Sequence, residues 1–234
     1  MQTIGFFSFG ETTMRCKSTI LMESVGHLLM NGKRIFLVDA NLPAPVLHVY
    51  IDLYYDGYQR IEGEDKLTGL LQWIRVFQTK GQTADNFAKY LSRSKDGKLT
   101  MMLSGAETLS WDDYAIRFLG IDYRYLLPVE GQSDGIGLFM NLCDRINKEY
   151  APDYLLIDTV PMLSDISLMF ALSLNKAVWI PSFMPDNLRA EFYMNRMKEK
   201  YQNLNCFMMQ PPSASAENEK ICWRELYDFL LKPM

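Results

Sequence analysis

The chain has two histidines, His27 and His48, and four cysteines at positions 16, 143, 206 and 222, with no Cys-x-x-Cys spacing among them. That excludes an ordinary zinc-ligand cluster, and the cysteines read as reduced thiols of a cytoplasmic protein. It also lacks a strong charge balance. With 24 basic against 28 acidic residues the net charge is −4, which argues against non-specific nucleic-acid binding as the main activity. No apolar run is long enough to span a membrane, and no charged-then-apolar leader opens the sequence, so no membrane span is expected. There is no internal repeat and no linker composition, so the 234 residues (1–234) are expected to form a single domain. The most consequential absence is local. After Gly10 the next six residues, Glu11-Thr12-Thr13-Met14-Arg15-Cys16, contain no glycine, although Lys17-Ser18-Thr19 follows them.

What is present is an alternation of apolar runs and helical patterns, in a chain whose 48% hydrophobic content suffices for a full core. Thr3–Phe9 reads as a strand. Lys17–Asn31 reads as a helix with Ile20, Leu21, Ser24, Leu28 and Leu29 on overlapping turns, closed by Gly32. Arg34–Val38 is a short buried strand running into Asp39. The region from Leu42 to about Tyr125 is less regular: helices are expected at Leu67–Phe77 and Thr83–Leu91, a polar separator at Ser92–Lys98, and strands at Leu99–Leu103 and Tyr125–Pro128. Then come a helix at Gly137–Glu149, a strand at Asp153–Ile157 ending at Asp158, a helix at Ser164–Leu174 and a strand at Ala177–Ile180. A helix at Asn187–Tyr201, a strand at Cys206–Met209, a polar loop at Ser213–Asn218 and a helix at Glu219–Leu231 complete the chain. Strands this apolar, alternating with helices, specify an α/β fold: a mainly parallel, doubly wound sheet of about seven strands covered by helices on both faces. Of the fifteen methionines, Met30, Met101, Met102, Met162 and Met169 lie in apolar runs and read as core filling.

Strand, loop, Lys-Ser, helix, strand and acid is the layout of a phosphate-binding loop. In such a site the lysine neutralises phosphate charge and the hydroxyl after it holds Mg²⁺. Lys17 and Ser18 have those identities in that order. For a bare Lys-Ser pair, an ordinary helix start capped by a hydroxyl is the simpler reading. Asp39 and Asp158 either hold Mg²⁺, directly or through water, or cap the following helices. Arg15 is either a phosphate ligand or a solvated loop arginine. Cys16 is either a thiol of lowered pKa at a helix start or a small buried side chain.

The chain resembles the ParA/MinD group of P-loop ATPases, in particular the branch with a KGGVGR-type loop. The resemblance is carried by Phe7-Ser8-Phe9 before the loop, by Gly32-Lys33, and by Leu37-Val38-Asp39-Ala40-Asn41-Leu42-Pro43-Ala44-Pro45. It continues through Lys66-Leu67-Thr68-Gly69-Leu70 and Leu126-Leu127-Pro128-Val129-Glu130-Gly131. Asp153-Tyr154-Leu155-Leu156-Ile157-Asp158-Thr159 is similar to a Walker B strand, followed by Ser164-Asp165 and by Pro185-Asp186-Asn187-Leu188-Arg189. The resemblance implies ATP and Mg²⁺ as ligands. Arg15, Cys16, Lys17, Ser18, Thr19 and Pro185 would lie on the nucleotide, Ser18, Asp39 and Asp158 on the metal, and Asp39 and Asn41 at the reacting end. It also implies a homodimer or a complex with a protein partner subunit, in a bacterial setting.

The departures point away from catalysis. Thr13, Met14 and Cys16 stand where the loop glycines belong, and the lysine that opens the family's loop has no counterpart. Asn41 replaces the second acid, and an amide can orient water but takes up no proton at neutral pH. The expectation is therefore a degenerate, weakly active or inactive domain working as a binding, assembly or regulatory subunit, with no cofactor if the loop is inactive. The alternative is an active, slow Mg-ATP-dependent dimerisation switch.

Overall fold

The computed structural model describes residues 1–8, 14–54, 58–60, 69–80, 86–106, 109–121, 135–161, 174–180, 191–192, 194–196, 198–199, 204–209 and 216–233. Within them the strands are β1 (Gln2–Ser8), β2 (Ile35–Asp39), β3 (Tyr58–Arg60), β4 (Ser92–Ser94), β5 (Leu99–Met102), β6 (Tyr154–Asp158), β7 (Lys176–Ile180) and β8 (Asn205–Met208). They form one sheet in the order β3-β4-β5-β2-β6-β1-β7-β8. From β5 to β8 every pairing is parallel, while β3–β4 and β4–β5 are antiparallel. The fold is the expected α/β doubly wound sheet, with an added antiparallel edge.

Helices cover both faces: α1 (Met14–Met30), α2 (Leu47–Tyr54), α3 (Leu70–Lys80), α4 (Trp111–Leu119), α5 (Gly135–Tyr150) and α6 (Ala216–Leu231). Side chains alternate along each strand, and the two sets feed two cores. Phe36, Leu155, Ile157 and Trp179 face one core together with Ile74 of α3, Tyr114 of α4 and Leu142 of α5. Leu37, Leu156 and Val178 face the other, with Leu21 and Val25 of α1, Ile51 of α2 and Leu226 of α6. Burial on both faces explains why the central strands read as unbroken apolar runs.

Several boundaries differ from the expected ones, each for a local reason. Helix α1 starts at Met14, three residues before Lys17, and ends as expected. Gly32, at φ +71°, donates to Leu29 O and Lys33 N reaches back to Leu28 O, which closes the carbonyls of the last turn. The polar separator at 92–98 is a strand and a turn: β4 pairs with β5, and Gly97 at φ +74° with Asp96 makes the reversal. Asp96 accepts from Ser94 Oγ at 2.6 Å and from Lys98 N at 3.1 Å. The Trp111–Leu119 helix was not anticipated; Ser110 caps it, accepting from Asp113 N. Only a short 3₁₀ turn, Phe87–Tyr90, is found in the described part of 83–91. Helix α6 begins at Ala216, inside the segment expected to be a polar loop. Gly69, at φ +113°, packs so closely on Leu103 O that an added Cβ would lie 2.5 Å from it. The expected strand at 125–128 and, apart from the non-helical Leu174, the expected helix at 164–174 lie outside the described residues, and the described parts of 191–199 are helical.

The chain runs outward from β1 through β2 to β3 at the edge, steps back through β4 and β5, and then places β6 between β1 and β2. Ligands of open α/β sheets bind at such reversals, beyond the carboxyl ends of the strands. Ser8, Asp39 and Asp158, the last residues of β1, β2 and β6, all lie at that edge.

Candidate nucleotide site

Asp39 and Asp158 are direct register partners on neighbouring parallel strands, and Phe6 of β1 is the partner of Asp158 on its other side. The N-terminal part of α1 packs over this edge. Lys17, Ser18, Asp39, Asn41, Asp158 and Thr159 are each fully buried there. Six polar side chains buried side by side must be paired among themselves or with a ligand.

Lys17 Nζ lies 2.5 Å from Asp158 Oδ1, a close ion pair rather than an aligned hydrogen bond. It also donates to the Thr159 carbonyl. Ser18 Oγ donates to the other carboxylate oxygen, Asp158 Oδ2, at 3.0 Å. Thr159 is itself held: its N donates to Phe6 O at 3.2 Å and its hydroxyl to the same carbonyl at 2.6 Å. The first two polar residues of the Lys-Ser-Thr motif are thus tied to the end of β6. The third, Thr19, points elsewhere and donates to Tyr50 Oη on α2 at 3.2 Å.

On the β2 side, Asp39 Oδ1 accepts from Asn41 N at 3.2 Å, and Asn41 Nδ2 donates to Ala44 O at 2.9 Å. Among the described residues, Asn41 Oδ1 is buried and accepts no hydrogen bond, and neither does Ser8 Oγ at the end of β1. The loop that carries Asn41 is fixed by the Tyr114 hydroxyl of α4, which donates to Leu42 O at 2.9 Å. Trp111-Asp112-Asp113-Tyr114 has no catalytic spacing in the sequence; the only signal for the role of Tyr114 is an aromatic four residues after the helix-capping Ser110.

The structure therefore brings together Lys17, Ser18, Asp39, Asn41 and Asp158. Arg15 and Cys16 lie in the first turn of α1, where their backbone is helical; their side chains, the loop at 9–13 and Pro185 lie outside what is described. Thr19 adjoins the site but contacts α2.

The oxygens of Ser18, Asp39 and Asp158 are the hard donor set that Mg²⁺ takes, so the metal end of a nucleotide site fits these residues. Ser18 and Asp158 would hold the ion, directly or through water. At the phosphate end, Met14–Cys16 are wound into a helix where a glycine cradle would be open loop, and Lys17 is already engaged by a carboxylate. A helix start still offers free N–H groups to an anion. Among the described residues there is no cluster of three or more His, Cys, Asp or Glu side chains arranged for a metal, and no helix long and apolar enough to cross a membrane.

No protein-family model matches the sequence, and no curated protein matches it. Solved structures do match. MinD, a cell division ATPase of Pyrococcus furiosus, superposes with a TM-score of 0.57 at 14% identity, over 95% of this chain and 79% of that one. The MinC:MinD cell division complex of Aquifex aeolicus gives 0.55 at 15% identity, over 89% and 67%. Cobyrinic acid a,c-diamide synthase from Mycobacterium smegmatis gives 0.59 at 12% identity, over 96% and 80%. The chain has the ParA/MinD fold. Identities this low carry the fold of these proteins and not their activities.

Proposed function

We propose that this chain is a single ParA/MinD-like domain that works as a binding, assembly or regulatory subunit, with slow ATP hydrolysis or none. The observation that carries this reading is the engagement of Lys17 by Asp158 and Thr159 beneath a helix whose first turn occupies the place of the glycine cradle. Asn41 supports it, since an amide at that position supplies no base. Nucleotide, where it binds, acts as a structural ligand or slow switch. The partner is a second copy or another protein; one fold neighbour is described in complex with a partner, MinC with MinD. The setting is the bacterial cytoplasm.

A second reading, an active Mg-ATP dimerisation switch, is favoured by one feature. Ser18 Oγ and Asp158 Oδ2 sit 3.0 Å apart with Asp39 on the adjoining strand, which keeps the metal end of a working site. Titration of the purified protein with ATP and Mg²⁺, followed by a phosphate-release assay, separates the two. The subunit reading expects phosphate release at or barely above the protein-free control and unchanged by a partner protein; sustained turnover lost in Asp39→Asn would establish the switch.

A further inference from the structure

We propose that this chain carries a second ligand site, at the edge of the sheet opposite the nucleotide site, that takes a small phosphorylated sugar or polyol. A cavity of about 600 Å³ opens there, at the amino ends of β1, β2, β6 and β7, within the size range of small-molecule sites. Lys33, Arg34 and Asp153 line it together with the amides of Gln2, Asn147 and Asn175. The inference stands apart from the reading above, since no residue of the nucleotide edge takes part.

The backbone fixes these groups before a ligand arrives. Asp153 N donates to Arg34 O at 2.9 Å, Tyr154 N donates to the same carbonyl at 3.2 Å, and Arg34 N donates to Asp153 Oδ2 at 2.8 Å. Asn175 is held in a similar way: its N donates to Thr3 O, and its Oδ1 accepts from Thr3 N, each at 2.9 Å. Both clasps tie neighbouring strands of the central sheet, so the lining is as rigid as the sheet itself.

The groups left over are the ones that can recognise a ligand. Arg34 Nε stands 4.0 Å from Asp153 Oδ2, beyond hydrogen-bond reach, so the carboxylate does not use up the guanidinium donors. The Lys33 ammonium has no partner among the described residues. Two cations against one carboxylate favour an anion, and a guanidinium fork beside an ammonium suits phosphate oxygens. With Asn175 Oδ1 taken by Thr3, its Nδ2 remains as a donor. Gln2 Oε1 is buried and accepts no hydrogen bond among the described residues, a cost that a ligand hydroxyl removes. Hydroxyls both donate and accept, so a polyol can serve Gln2 and Asn175 at once. The aromatic residue of the lining, Tyr154, is buried in the core with Leu156 and Val178, and its ring offers no open face for a nucleobase to stack on. That favours a sugar phosphate over a nucleotide.

The test is isothermal titration of the full chain with ribose 5-phosphate, with ribose and with inorganic phosphate. Ribose 5-phosphate should bind with a Kd of about 1 mM or tighter, and each fragment about tenfold or more weakly. Arg34→Gln keeps the backbone clasp and should weaken ribose 5-phosphate by about tenfold or more. Gln2→Met removes the unpartnered acceptor and should weaken binding too, while the urea midpoint of the free protein stays level or rises. An excess of ATP with Mg²⁺ should leave the titration unchanged. The proposal is overturned if ribose 5-phosphate gives no heat at about 10 mM, or if Arg34→Gln binds it as the wild type does. Inorganic phosphate binding as tightly as ribose 5-phosphate also overturns it, because the amides then recognise nothing. Competition by ATP would place the sugar phosphate at the nucleotide edge and refute the second site. Should Gln2→Met prove less stable, Arg34→Gln decides, since that side chain is exposed.

Discussion

The ammonium of Lys17, carried by the first helix, and the carboxylate of Asp158, at the end of β6, lie 2.5 Å apart with neither exposed to solvent. Removing one partner of such a pair leaves the other charged and buried, which typically costs about 3–5 kcal/mol, whereas replacing both with apolar groups costs much less. Lys17→Ala is thus expected to lower stability by about that amount, and Lys17→Met with Asp158→Leu to recover most of it. Urea unfolding of the wild type and the two variants measures this. A Lys17→Ala loss near zero would mean that water reaches the pair. The same result bears on any binding assay, since nucleotide binding lost in Lys17→Ala means little unless the variant is shown to be folded.

Asn41 offers a direct test of whether the missing acid is what silences the site. Its Nδ2 donates to Ala44 O, so Asn41→Asp would set a carboxylate oxygen against that carbonyl and a third buried charge beside Asp39 and Asp158. The expected outcome is a loss of about 1–3 kcal/mol in stability with no gain in ATP turnover. Thermal melting and a phosphate-release assay check both halves. A rise in turnover of about tenfold or more would show that the amide alone was limiting.

The central sheet was legible because burial on both faces leaves its strands as plain apolar runs, from Phe36-Leu37-Val38 to Leu155-Leu156-Ile157. Asp39 and Asp158 were legible for the same reason: they are the first charges after those runs. The strand Ser92–Ser94, one in from the sheet edge, was not, since its residues are polar and its signal lies in the Asp96-Gly97 turn. The engagement of Lys17 could not be read at all. A lysine waiting for phosphate and a lysine held by Asp158 have the same sequence, and only the register of β6 against β1 sets the carboxylate under the helix start.

Tyr114 ties α4 to the loop after β2 at the site. It is buried in the core beneath α4, and its hydroxyl donates to Leu42 O next to Asn41. Tyr114→Phe keeps the packing but leaves that carbonyl without this donor, for an expected loss of about 1–3 kcal/mol. Hydrogen exchange should quicken at the amides of Asn41 and Ala44, whose bonds to Asp39 and Asn41 hold the loop. Unchanged exchange there would show that Tyr114 stabilises its own core and does not position the loop.

Lys176 gives the chain an alkaline signature far from the nucleotide edge. It is buried at the start of β7, where its Nζ donates to the carbonyls of Phe229, Leu230 and Lys232 at 2.7, 3.0 and 2.6 Å and so closes the end of α6. Burial, and then the charge of Lys232, push its pKa down from 10.5 to about 8. Between those two values the unfolded chain still carries a proton that the folded chain has released. Stability therefore rises with pH across this window, and the contribution is lost again as pH falls through about 8. A depression of this size corresponds to roughly 3 kcal/mol at full extent. Lys176→Met lacks the titrating group but keeps an apolar stem, so every other alkaline titration cancels when the two proteins are compared. At pH 7 the variant loses three donors at the end of α6 but also escapes the cost of a buried charge. As pH climbs from 7 to 10 the wild type should gain on the variant by up to about 3 kcal/mol in urea unfolding. A wild-type-to-variant difference that stays constant with pH would mean that the three carbonyls keep the ammonium charged throughout.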